Sequence, residues 1–535
     1  MVAPWRPRRL PKPWAACCSS TTFVPTPTRR FRIPSLPVRR RPLFPALDQL
    51  LLPFGVTAPA IALDAITLDS RRVAPGTLFV AVKGHQVDGR RFIEQAVAQG
   101  AAAILFEAGD DFVAPELAVP CIPMADLPRH LSALAGRFYG NPAEALELVG
   151  VTGTNGKSTT ALLIANWRTL LGGRAGVMGT VGNGLFGQLV EAANTTGSAI
   201  EVQGNLRALH EQGAELVAME VSSHGLMQHR VAGLQFDAVA YTNLSRDHLD
   251  YHGTMAAYAE AKALLLERVD EARAVINGDD EVGRQWLASR PAAVAYSLEG
   301  GVAGHPGPQI LASALEFHQQ GFRARINSPW GNGVLSAPLL GRFNVANVLA
   351  ALGVMLVLGY DFDALLASAP ALQPVTGRME CFGGQDKPLA VVDYAHTPDA
   401  LEKALAALRV HCQGQLWCVV GCGGDRDRGK RPMMAAMAER CADRVILTDD
   451  NPRTEAPQQI MADMVAGLQA PELVQVEHDR IKAIRLALSQ ATQQDIVLVA
   501  GKGHEDYQII GTQKHHYSDR ETVVEVLRTL PESFA

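Results

Sequence analysis

A glycine-rich segment that ends in lysine, serine and threonine offers the most specific chemistry in this sequence. Residues 150–160 read Gly-Val-Thr-Gly-Thr-Asn-Gly-Lys-Ser-Thr-Thr, between an apolar run and an alanine- and leucine-rich stretch. A strand, such a loop and a helix form the P-loop arrangement, in which backbone N–H groups and the helix N-terminus bind phosphates. Lys157 would reach the β- and γ-phosphates, and the Ser158 hydroxyl would bind Mg²⁺. The alternative is a turn that caps an ordinary helix, but the strand-loop-helix context favours a site for ATP or GTP.

Polar loops follow the other predicted strands of the middle region. Apolar runs at 145–151, 216–221, 238–242 and 274–277 alternate with amphipathic stretches, which predicts a mostly parallel sheet with helices on both faces. The loop after the third run, residues 243–252, is dense in possible ligands. Because open α/β sheets bind ligands at the carboxyl ends of their strands, these loops should converge on the P-loop.

Other features of this region are ambiguous from the residues alone. A predicted helix over 254–269 carries Lys262 in an alanine- and leucine-rich stretch, and the periodicity favours a surface lysine whose stem lies along apolar side chains. Asn344 and Asn347 begin another helix and share one face, where they could cap or bridge. The glycine-rich segment at 300–340 predicts β-structure with loose turns.

The last part of the chain, residues 376–535, also alternates strands with polar loops. The predicted strands lie at 390–394, 416–421, 444–448 and 495–500. A Gly-Cys-Gly-Gly turn at 421–424 is a weak signal for dinucleotide binding. No acidic residue at the required distance supports it, so we reject NAD binding.

Composition and charge exclude several classes of protein. The chain has 535 residues, which predicts two to four domains, and its 47% hydrophobic and 19% charged residues are typical of a globular protein. A net charge of −5 gives no electrostatic case for a nucleic-acid partner. The absence of an 18-residue apolar run argues against a transmembrane helix. The eight cysteines form no metal-type pairs, which indicates reduced thiols in a cytoplasmic protein. We expect a monomer.

The first 42 residues differ from the rest of the chain. They contain ten Lys and Arg, no Asp or Glu, many prolines and no helix or strand periodicity, so we predict a disordered basic extension. An organellar transit peptide, a basic tail for an anionic partner and an over-extended gene model are the three explanations. The prolines disfavour an amphipathic transit helix, which favours the third.

Residues 43–130 predict a small α/β domain. Strands are expected at 77–82 and 101–106, with a helix between them that ends at Gln99. A Ser-Arg-Arg turn at 70–72 and a Gly-x-x-x-Asp-Gly loop that begins at Gly84 could bind an anionic ligand. Solvated turns explain both segments equally well.

Taken together, the ordered motifs resemble the ATP-dependent Mur ligases of peptidoglycan synthesis, and within them the members that add 2,6-diaminopimelate. The segments that carry the resemblance are 153–158, 194–197, 219–225, 243–252, 341–347, 377–380, 393–398 and 450–453. The resemblance implies an α/β fold with three domains. A small α/β domain for the nucleotide sugar (43–130) precedes a P-loop central domain with a mostly parallel sheet (131–375) and a Rossmann-like C-terminal α/β domain for the amino acid (376–535).

The resemblance also implies roles for individual residues. The ATP-binding set is Gly153, Thr154, Asn155, Gly156, Lys157, Ser158, Thr159, Asn344, Asp393 and His396. The Mg²⁺ ligands are Ser158, Glu220, His248 and Lys262, and the catalytic residues are Lys157, Lys262, His248 and Arg378. The residues for the UDP-muramoyl dipeptide are Ser70, His85, Thr195, Thr196, Ser222, Gln228 and Arg230. The diaminopimelate set is Arg426, Asp450, Asn451, Pro452, Arg453, Gly501 and Glu505. Lys262 matches the family lysine that is carbamylated, which reverses its interpretation as a surface residue.

The reaction implied by the resemblance forms an amide through an acyl phosphate. ATP would phosphorylate the D-glutamyl carboxylate of UDP-N-acetylmuramoyl-L-Ala-D-Glu, and an amine of meso-diaminopimelate would displace the phosphate. Addition of lysine to the same nucleotide, or of glutamate to folate, is disfavoured by the stretch 450–453 and by the first domain. A non-catalytic plastid scaffold is disfavoured because Lys157, Glu220, His248 and Lys262 are all present. We predict an enzyme that uses ATP and Mg²⁺ with small-molecule substrates, and no nucleic-acid or membrane partner.

Overall fold

The structure is a computed structural model that describes residues 44–84, 87–110, 112–384 and 386–530. The predicted basic extension and His85 lie outside the described residues. The described part of the chain forms three main β-sheets with helices packed against them. This is the α/β fold with three domains that the sequence predicts.

The first sheet contains four parallel strands in sequence order within the described residues. Its strands are β1 (Ala65–Thr67), β2 (Thr77–Ala81), β3 (Ala103–Glu107) and β4 (Cys121–Met124). Its helices are α1 (Leu47–Leu51), α2 (Ile93–Ala98) and α3 (Leu127–Phe138). Leu131, Leu134 and Phe138 on α3 are buried in the core of this sheet. The predicted junction between residues 130 and 131 therefore falls inside α3, because the apolar face of that helix belongs to the first core.

The central sheet has eleven strands among the described residues, and the P-loop strand lies near its middle. Its strands are β5 (Glu147–Thr152), β6 (Ala175–Gly179), β7 (Gly182–Leu185), β8 (Gln188–Val190), β9 (Leu216–Glu220), β10 (Ala238–Tyr241), β11 (Ala274–Asn277), β12 (Val294–Ser297), β13 (Gln309–His318), β14 (Gly321–Ser328) and β15 (Gly331–Ala337). The spatial order is β15-β14-β13-β12-β11-β10-β5-β9-β6-β7-β8. The strands from β13 to β6 in this order run parallel, and antiparallel strands complete both edges.

Helices cover both faces of the central sheet. They are α4 (Lys157–Leu170), α5 (Ala199–Glu211), α6 (Ser223–Met227), α7 (Leu249–His252), α8 (Met255–Ala263), α9 (Glu281–Ser289), α10 (Arg342–Val357) and α11 (Phe362–Ser368). Successive residues of a strand point to opposite faces. Val149 and Val151 of β5 accordingly pack with α4 and α10, whereas Leu148 packs on the other face. The helix predicted over 254–269 ends at Ala263, because the chain turns there and buries Leu265 and Leu266 in the core.

The third sheet has the order β16-β17-β21-β18-β19-β20 and is parallel except for its first pair. Its strands are β16 (Glu380–Gly383), β17 (Leu389–Asp393), β18 (Leu416–Val420), β19 (Arg444–Leu447), β20 (Gln475–Val476) and β21 (Ile496–Ala500). A separate hairpin consists of β22 (Tyr507–Ile510) and β23 (Gln513–His516). The helices are α12 (Pro398–Arg409), α13 (Lys430–Cys441), α14 (Pro457–Val465), α15 (Arg480–Gln490) and α16 (Asp519–Thr529).

A buried histidine joins the third sheet to the central one. His411, just after α12, accepts a hydrogen bond from the Gly341 N–H through Nε2 (2.8 Å). Its Nδ1 donates to the His318 carbonyl, also at 2.8 Å. This pattern requires the neutral ring, and burial lowers the pKa of His411, which favours that form. Gly341 precedes α10, so His411 holds the start of the helix that carries Asn344 and Asn347.

Candidate functional site

The P-loop glycines are required by close contacts. Gly153 and Gly156 both have positive φ, of 148° and 84°. A Cβ atom on Gly153 would lie 1.9 Å from Thr242 Oγ1, and one on Gly156 would lie 2.3 Å from Asn347 Oδ1. No side chain fits at either position. The loop is therefore packed between β10 and α10, with its backbone held in the turn that precedes α4.

The loop after β10 binds the P-loop through several hydrogen bonds. Thr154 N donates to the Asn243 carbonyl (2.8 Å), and Asn155 N donates to Asn243 Oδ1 (3.1 Å). Ser245 N donates to Thr154 Oγ1 (3.0 Å), and Thr242 Oγ1 donates to the Asn155 carbonyl (2.6 Å). The predicted convergence of the 243–252 loop on the P-loop is thus present in the structure.

Two lysines meet at one carbonyl oxygen of the P-loop. Lys157 Nζ donates to the carbonyls of Gly153 (2.9 Å) and Thr154 (2.8 Å), and Lys262 Nζ donates to Gly153 at 2.8 Å. Burial, reinforced by the charge of Lys157, lowers the pKa of Lys262 to about 6. Burial also lowers the pKa of Lys157, although Glu220 and Asp247 act in the opposite direction. Lys262 is 1% exposed, so the interpretation as a surface lysine is wrong.

Glu220, at the end of β9, is a buried carboxylate with only neutral hydrogen-bond donors. Thr180 donates to it from its backbone N–H (2.8 Å) and its hydroxyl (3.3 Å), and Ser158 adds a side-chain bond. Burial raises the pKa of Glu220, and Lys157 opposes this effect. No Lys or Arg of the described chain lies within 4.0 Å of this carboxylate. A buried oxygen ligand of this kind suits a hard cation such as Mg²⁺.

His248, another predicted metal ligand, is more exposed than Glu220 and, among the described residues, is not part of a preformed metal site. His248 immediately precedes α7 and has a left-handed backbone. About half of its side chain is exposed, and its Nε2 lies 3.5 Å from Asp247 Oδ2. Its ring contacts those of His224 and Tyr258. Within the described ranges, no group of three or more His, Cys, Asp or Glu side chains is arranged to hold a metal ion. A complete Mg²⁺ shell would therefore need Ser158, a modified Lys262 or oxygens of a bound phosphate besides Glu220.

The residues predicted to contact the muramoyl dipeptide form a network that begins at Glu220. The Thr195 hydroxyl lies 2.9 Å from the Thr180 hydroxyl, which donates to Glu220. Thr196 Oγ1 donates to the Glu220 carbonyl (3.0 Å) and accepts from Ser222 N (3.0 Å).

Arg230 extends this network. It donates to the Thr196 carbonyl (2.5 Å) and to Gln228 Oε1 (2.6 and 3.0 Å), and burial lowers its pKa. Ser70 lies apart from this network, since it is buried in the first domain and donates to Gln95 (3.2 Å).

The residues predicted beside ATP lie at two places. Asn344 donates to the Leu340 carbonyl (2.8 Å) and accepts from Asn347 (3.2 Å), so it orients Asn347, which itself faces Gly156. On the third domain, Arg378 lies over the Tyr394 ring at 4.9 Å.

Asp393 is buried beside Arg378, and burial raises its pKa although Arg378 opposes this effect. Its carboxylate accepts from the backbone N–H groups of Met379 (2.8 Å) and Ala395 (3.0 Å). His396 bonds to the Tyr394 carbonyl through Nδ1 (2.8 Å).

The predicted diaminopimelate residues converge at the carboxyl ends of β19 and β21. Gln508 Nε2 donates to the Asp450 carbonyl (2.6 Å), and Ile509 N donates to Asn451 Oδ1 (2.9 Å). Arg453 N donates to the Ile509 carbonyl at 3.0 Å. The hairpin β22–β23 thus holds the 450–453 turn, and Asn451 Nδ2 donates to Glu505 at 3.1 Å.

Arg453 has no carboxylate partner among the described residues. Its Nη1 donates to the carbonyls of Gly424 (2.8 Å) and Asn451 (3.5 Å). Glu455 is instead bound by Arg431 and Arg428, and Asp449 pairs with His478. Neither Asp449 nor Glu455 is therefore the partner of Arg453.

The remaining residues of this set lie around the same turn. Gly501 has φ 117°, close to Asp450, and its N–H donates to the Asp393 carbonyl (3.0 Å). This bond connects the predicted amino-acid and ATP sides. Pro452 provides the turn carbonyl that accepts from Glu455 N (3.2 Å). Arg426 is exposed and donates only to the Asp425 carbonyl among the described groups.

Three residues that hold the site are absent from the sets of site residues predicted from the sequence. Thr180 links Glu220 to Thr195, Asn347 contacts Gly156, and Lys502 is buried between the predicted diaminopimelate residues. Asn347 ends the 341–347 segment that carries the family resemblance, and Lys502 follows the predicted site residue Gly501.

The comparisons with known proteins agree with this geometry. The fold and the P-loop site define an α/β protein that binds a nucleoside triphosphate. Three family models match the chain: the Mur ligase family catalytic domain at residues 63–139, the Mur ligase middle domain at 151–355, and the Mur ligase glutamate ligase domain at 377–503. The chain belongs to the Mur ligase family.

Among the described residues, none of the helices has the length and hydrophobicity that a membrane-spanning helix requires.

Relatives of known identity cover nearly the whole chain. The UDP-N-acetylmuramoyl-L-alanyl-D-glutamate–2,6-diaminopimelate ligase of Vibrio cholerae is 54% identical over 494 residues, which are 91% of this chain and 99% of the relative. A solved structure of an enzyme with the same name is 38% identical, with a TM-score of 0.71 over 91% of this chain and 99% of that one. MurF ligase from Thermotoga maritima in complex with ADP is 20% identical over 86% of this chain and 96% of its own, with a TM-score of 0.56, and it supports the fold alone.

Proposed function

We propose that this protein adds meso-2,6-diaminopimelate to the D-glutamyl carboxylate of UDP-N-acetylmuramoyl-L-Ala-D-Glu, with ATP as the energy source, in peptidoglycan synthesis. The observation that carries the proposal is the 54% identity, over 91% of this chain, to the Vibrio cholerae ligase of that name. Arg453, which has no carboxylate partner in the described part of the chain, lies beside Asn451 and supports the same choice of amino acid. Because ATP and a UDP-linked substrate are both needed, we expect the enzyme to act in the cytoplasm.

We further propose three functional domains. Residues 43 to about 139 would bind the uridine diphosphate, since the family match to this part ends at residue 139 and α3 belongs to its core. The central domain, to residue 375, would bind ATP, and residues 376–535 would bind the amino acid. The matches at 151–355 and 377–503 support these two assignments.

The first chemical step would join two anions, the D-glutamyl carboxylate and the γ-phosphate. Lys157, at the N-terminus of α4, supplies positive charge on the phosphate side, and Arg378 would add charge from the third domain. Glu220, Ser158 and a carbamylated Lys262 would hold Mg²⁺, because the unmodified ammonium group of Lys262 would repel the ion. The ion would neutralise phosphate charge when bound. Through the Thr180–Thr195 contact, a residue predicted to bind the muramoyl dipeptide lies near Glu220. The D-glutamyl carboxylate of the substrate would therefore arrive beside the γ-phosphate.

The second step would form the amide. The neutral amine attacks the carbonyl carbon of the acyl phosphate, and inorganic phosphate leaves with the electron pair of the C–O bond. The nitrogen loses one proton in this step, and the departing phosphate would accept it. The acyl phosphate also reacts with water, so the amine must be held in place before it forms. Asp450, Asn451, Arg453 and Glu505 would bind the far end of diaminopimelate and leave its other amine free. The Gly501–Asp393 hydrogen bond connects this pocket to the ATP side.

A phosphate-release assay with separate amines tests the proposal. Release should require ATP, the nucleotide dipeptide and meso-diaminopimelate together, and L-lysine should support it poorly. Equal rates with L-lysine would identify a lysine-adding ligase. Release with folate and glutamate would identify a folate ligase, and no release with any substrate would support a scaffold.

A further inference from the structure

Lys502 is a fully buried cation at the centre of the predicted amino-acid pocket. Its Nζ donates to Asn451 Oδ1 (3.0 Å) and to the Tyr507 carbonyl (2.8 Å). It also lies 3.1 Å from Asp450 Oδ1 and 3.7 Å from Glu505 Oε2, as ion pairs. The side chain of Lys502 is 0% exposed, so it cannot contact the solvent. One ammonium group therefore contacts three of the residues expected to bind diaminopimelate.

The contacts of Lys502 fix the orientation of the Asn451 amide. Asn451 Oδ1 faces two groups that can only donate, the Lys502 ammonium and the Ile509 N–H (2.9 Å). Its Nδ2 faces an acceptor, Glu505 Oε2, at 3.1 Å. The flipped amide would face donors with its own donor, so only one orientation is stable. Lys502 and Glu505 together therefore determine which end of the Asn451 amide accepts and which end donates.

Lys502 also sets the charge of the pocket. Asp450 and Glu505 are mostly buried, with side chains 13% and 16% exposed. Two such carboxylates without a cation would repel each other and would lose hydration without compensation. With Lys502 between them the group carries one net negative charge, which matches a single ligand ammonium. Arg453, on the same turn, supplies the opposite charge for a ligand carboxylate.

We propose that Lys502 is a positioning residue that holds this pocket ready for an amino-acid end that carries both an ammonium and a carboxylate. The inference rests on the proposed function, because it specifies how the far end of diaminopimelate is recognised. Lys502 does not touch the reacting atoms. It acts through Asn451, Asp450 and Glu505.

The test separates the two half-reactions. Hydroxylamine attacks an acyl phosphate to give a hydroxamate and inorganic phosphate, so it replaces diaminopimelate without using its pocket. In Lys502→Met, kcat/KM for diaminopimelate should fall about 100-fold or more, because an uncompensated buried carboxylate is costly. Hydroxamate formation from ATP and the nucleotide dipeptide should stay within about threefold of the wild type, since no contact with the P-loop changes. The readout is phosphate release with each nucleophile.

A second buried cation of the same domain provides the control. Among the described residues, Arg480 donates to Asp519 (2.8 Å) and to the Ala500 carbonyl (2.9 Å), and none of its hydrogen bonds goes to a side chain of the predicted pocket. Arg480→Met should lower the melting temperature, and any loss of rate should be the same for both nucleophiles. If Lys502→Met does not fold, the comparison is made on Lys502→Gln, whose neutral amide can still donate a hydrogen bond.

The outcomes are distinct. Selective loss of the diaminopimelate reaction supports the proposal, whereas unchanged kcat/KM for diaminopimelate, or parallel loss with both nucleophiles in a folded variant, overturns it. If the wild type itself forms hydroxamate but does not use diaminopimelate, the proposed function fails, and that result is separate from any effect of Lys502.

Discussion

Arg453 should select diaminopimelate over lysine. The two amino acids differ at the far end, where diaminopimelate carries a carboxylate and lysine carries only hydrogen. Arg453 donates to two carbonyls and has no carboxylate partner among the described residues. A guanidinium pairs with a carboxylate through two parallel hydrogen bonds.

The expected loss of kcat/KM for diaminopimelate follows from the strength of these two hydrogen bonds. Each hydrogen bond to a charged group contributes about 1.5–3 kcal/mol, so a two-bond contact contributes about 4 kcal/mol, or on the order of a thousandfold. Arg453→Ala should lower kcat/KM for meso-diaminopimelate by about that factor and should leave the low value for L-lysine nearly unchanged. Both amines are compared by phosphate release at saturating ATP and nucleotide.

Arg428→Ala is the matched control for this prediction. Arg428 lies nearby, is 61% exposed and pairs with Glu455, but it is not expected to contact the substrate. Loss of the Arg428 side chain should change kcat/KM for meso-diaminopimelate and for L-lysine by no more than about threefold, since exposed ion pairs contribute little to stability. Equal losses for both amines in Arg453→Ala would refute the reasoning, because they would mean that Arg453 supports the fold or the ATP site.

Three further predictions concern other parts of the chain. Lys262→Ala and Lys262→Arg should be nearly inactive, and short carboxylates should partly restore the activity of the alanine variant. Incubation with ¹³C-bicarbonate should give a carbamate NMR signal in the wild type and in neither variant. A wild type without this signal would contradict carbamylation. A chain that starts at Leu43 should match the full chain in rate and melting temperature. A chain that starts at Val56 should have a lower melting temperature, because it loses Phe44, which stacks on Phe138 at 4.4 Å. A lower rate or melting temperature in the chain that starts at Leu43 would assign a role to the extension. His411→Phe should lower the free energy of unfolding, measured in urea, by about 2–3 kcal/mol, because two hydrogen bonds are lost and each buried partner is left unpaired. His411→Gln should lose less stability, since its amide can still form hydrogen bonds. A phenylalanine variant as stable as the wild type would exclude a stabilising role for His411 between the two sheets.

The sequence predicts the parts of the site that depend on local patterns. The P-loop can be recognised because glycines, lysine and serine must occur at fixed spacing between a strand and a helix. The three-domain α/β fold follows in the same way from the alternation of strands and helices. The β-structure expected at 300–340 is present as three antiparallel strands, β13 to β15.

Contacts between distant segments could not be read from those patterns. Lys262 looks like a surface residue because its predicted helix, over 254–269, is rich in alanine and leucine, and a lysine stem can lie along such side chains. Only the fold brings Lys262 to the Gly153 carbonyl, 109 residues away. Lys502 and Asn451 are 51 residues apart, and the hairpin that holds the 450–453 turn lies further along the chain. The junction predicted at residue 130 falls inside α3 for the same reason, since the partners of α3 in the first core lie on distant strands.

Isotope transfer tests the central claim most directly. The nucleotide dipeptide is prepared with ¹⁸O in the D-glutamyl carboxylate that reacts, and it is incubated with ATP and meso-diaminopimelate. If the carboxylate is activated as an acyl phosphate, the bridging oxygen leaves with the phosphate, so each inorganic phosphate released should carry one ¹⁸O atom for each amide formed. Amide formation without ¹⁸O in the phosphate, measured by mass spectrometry, would contradict the account.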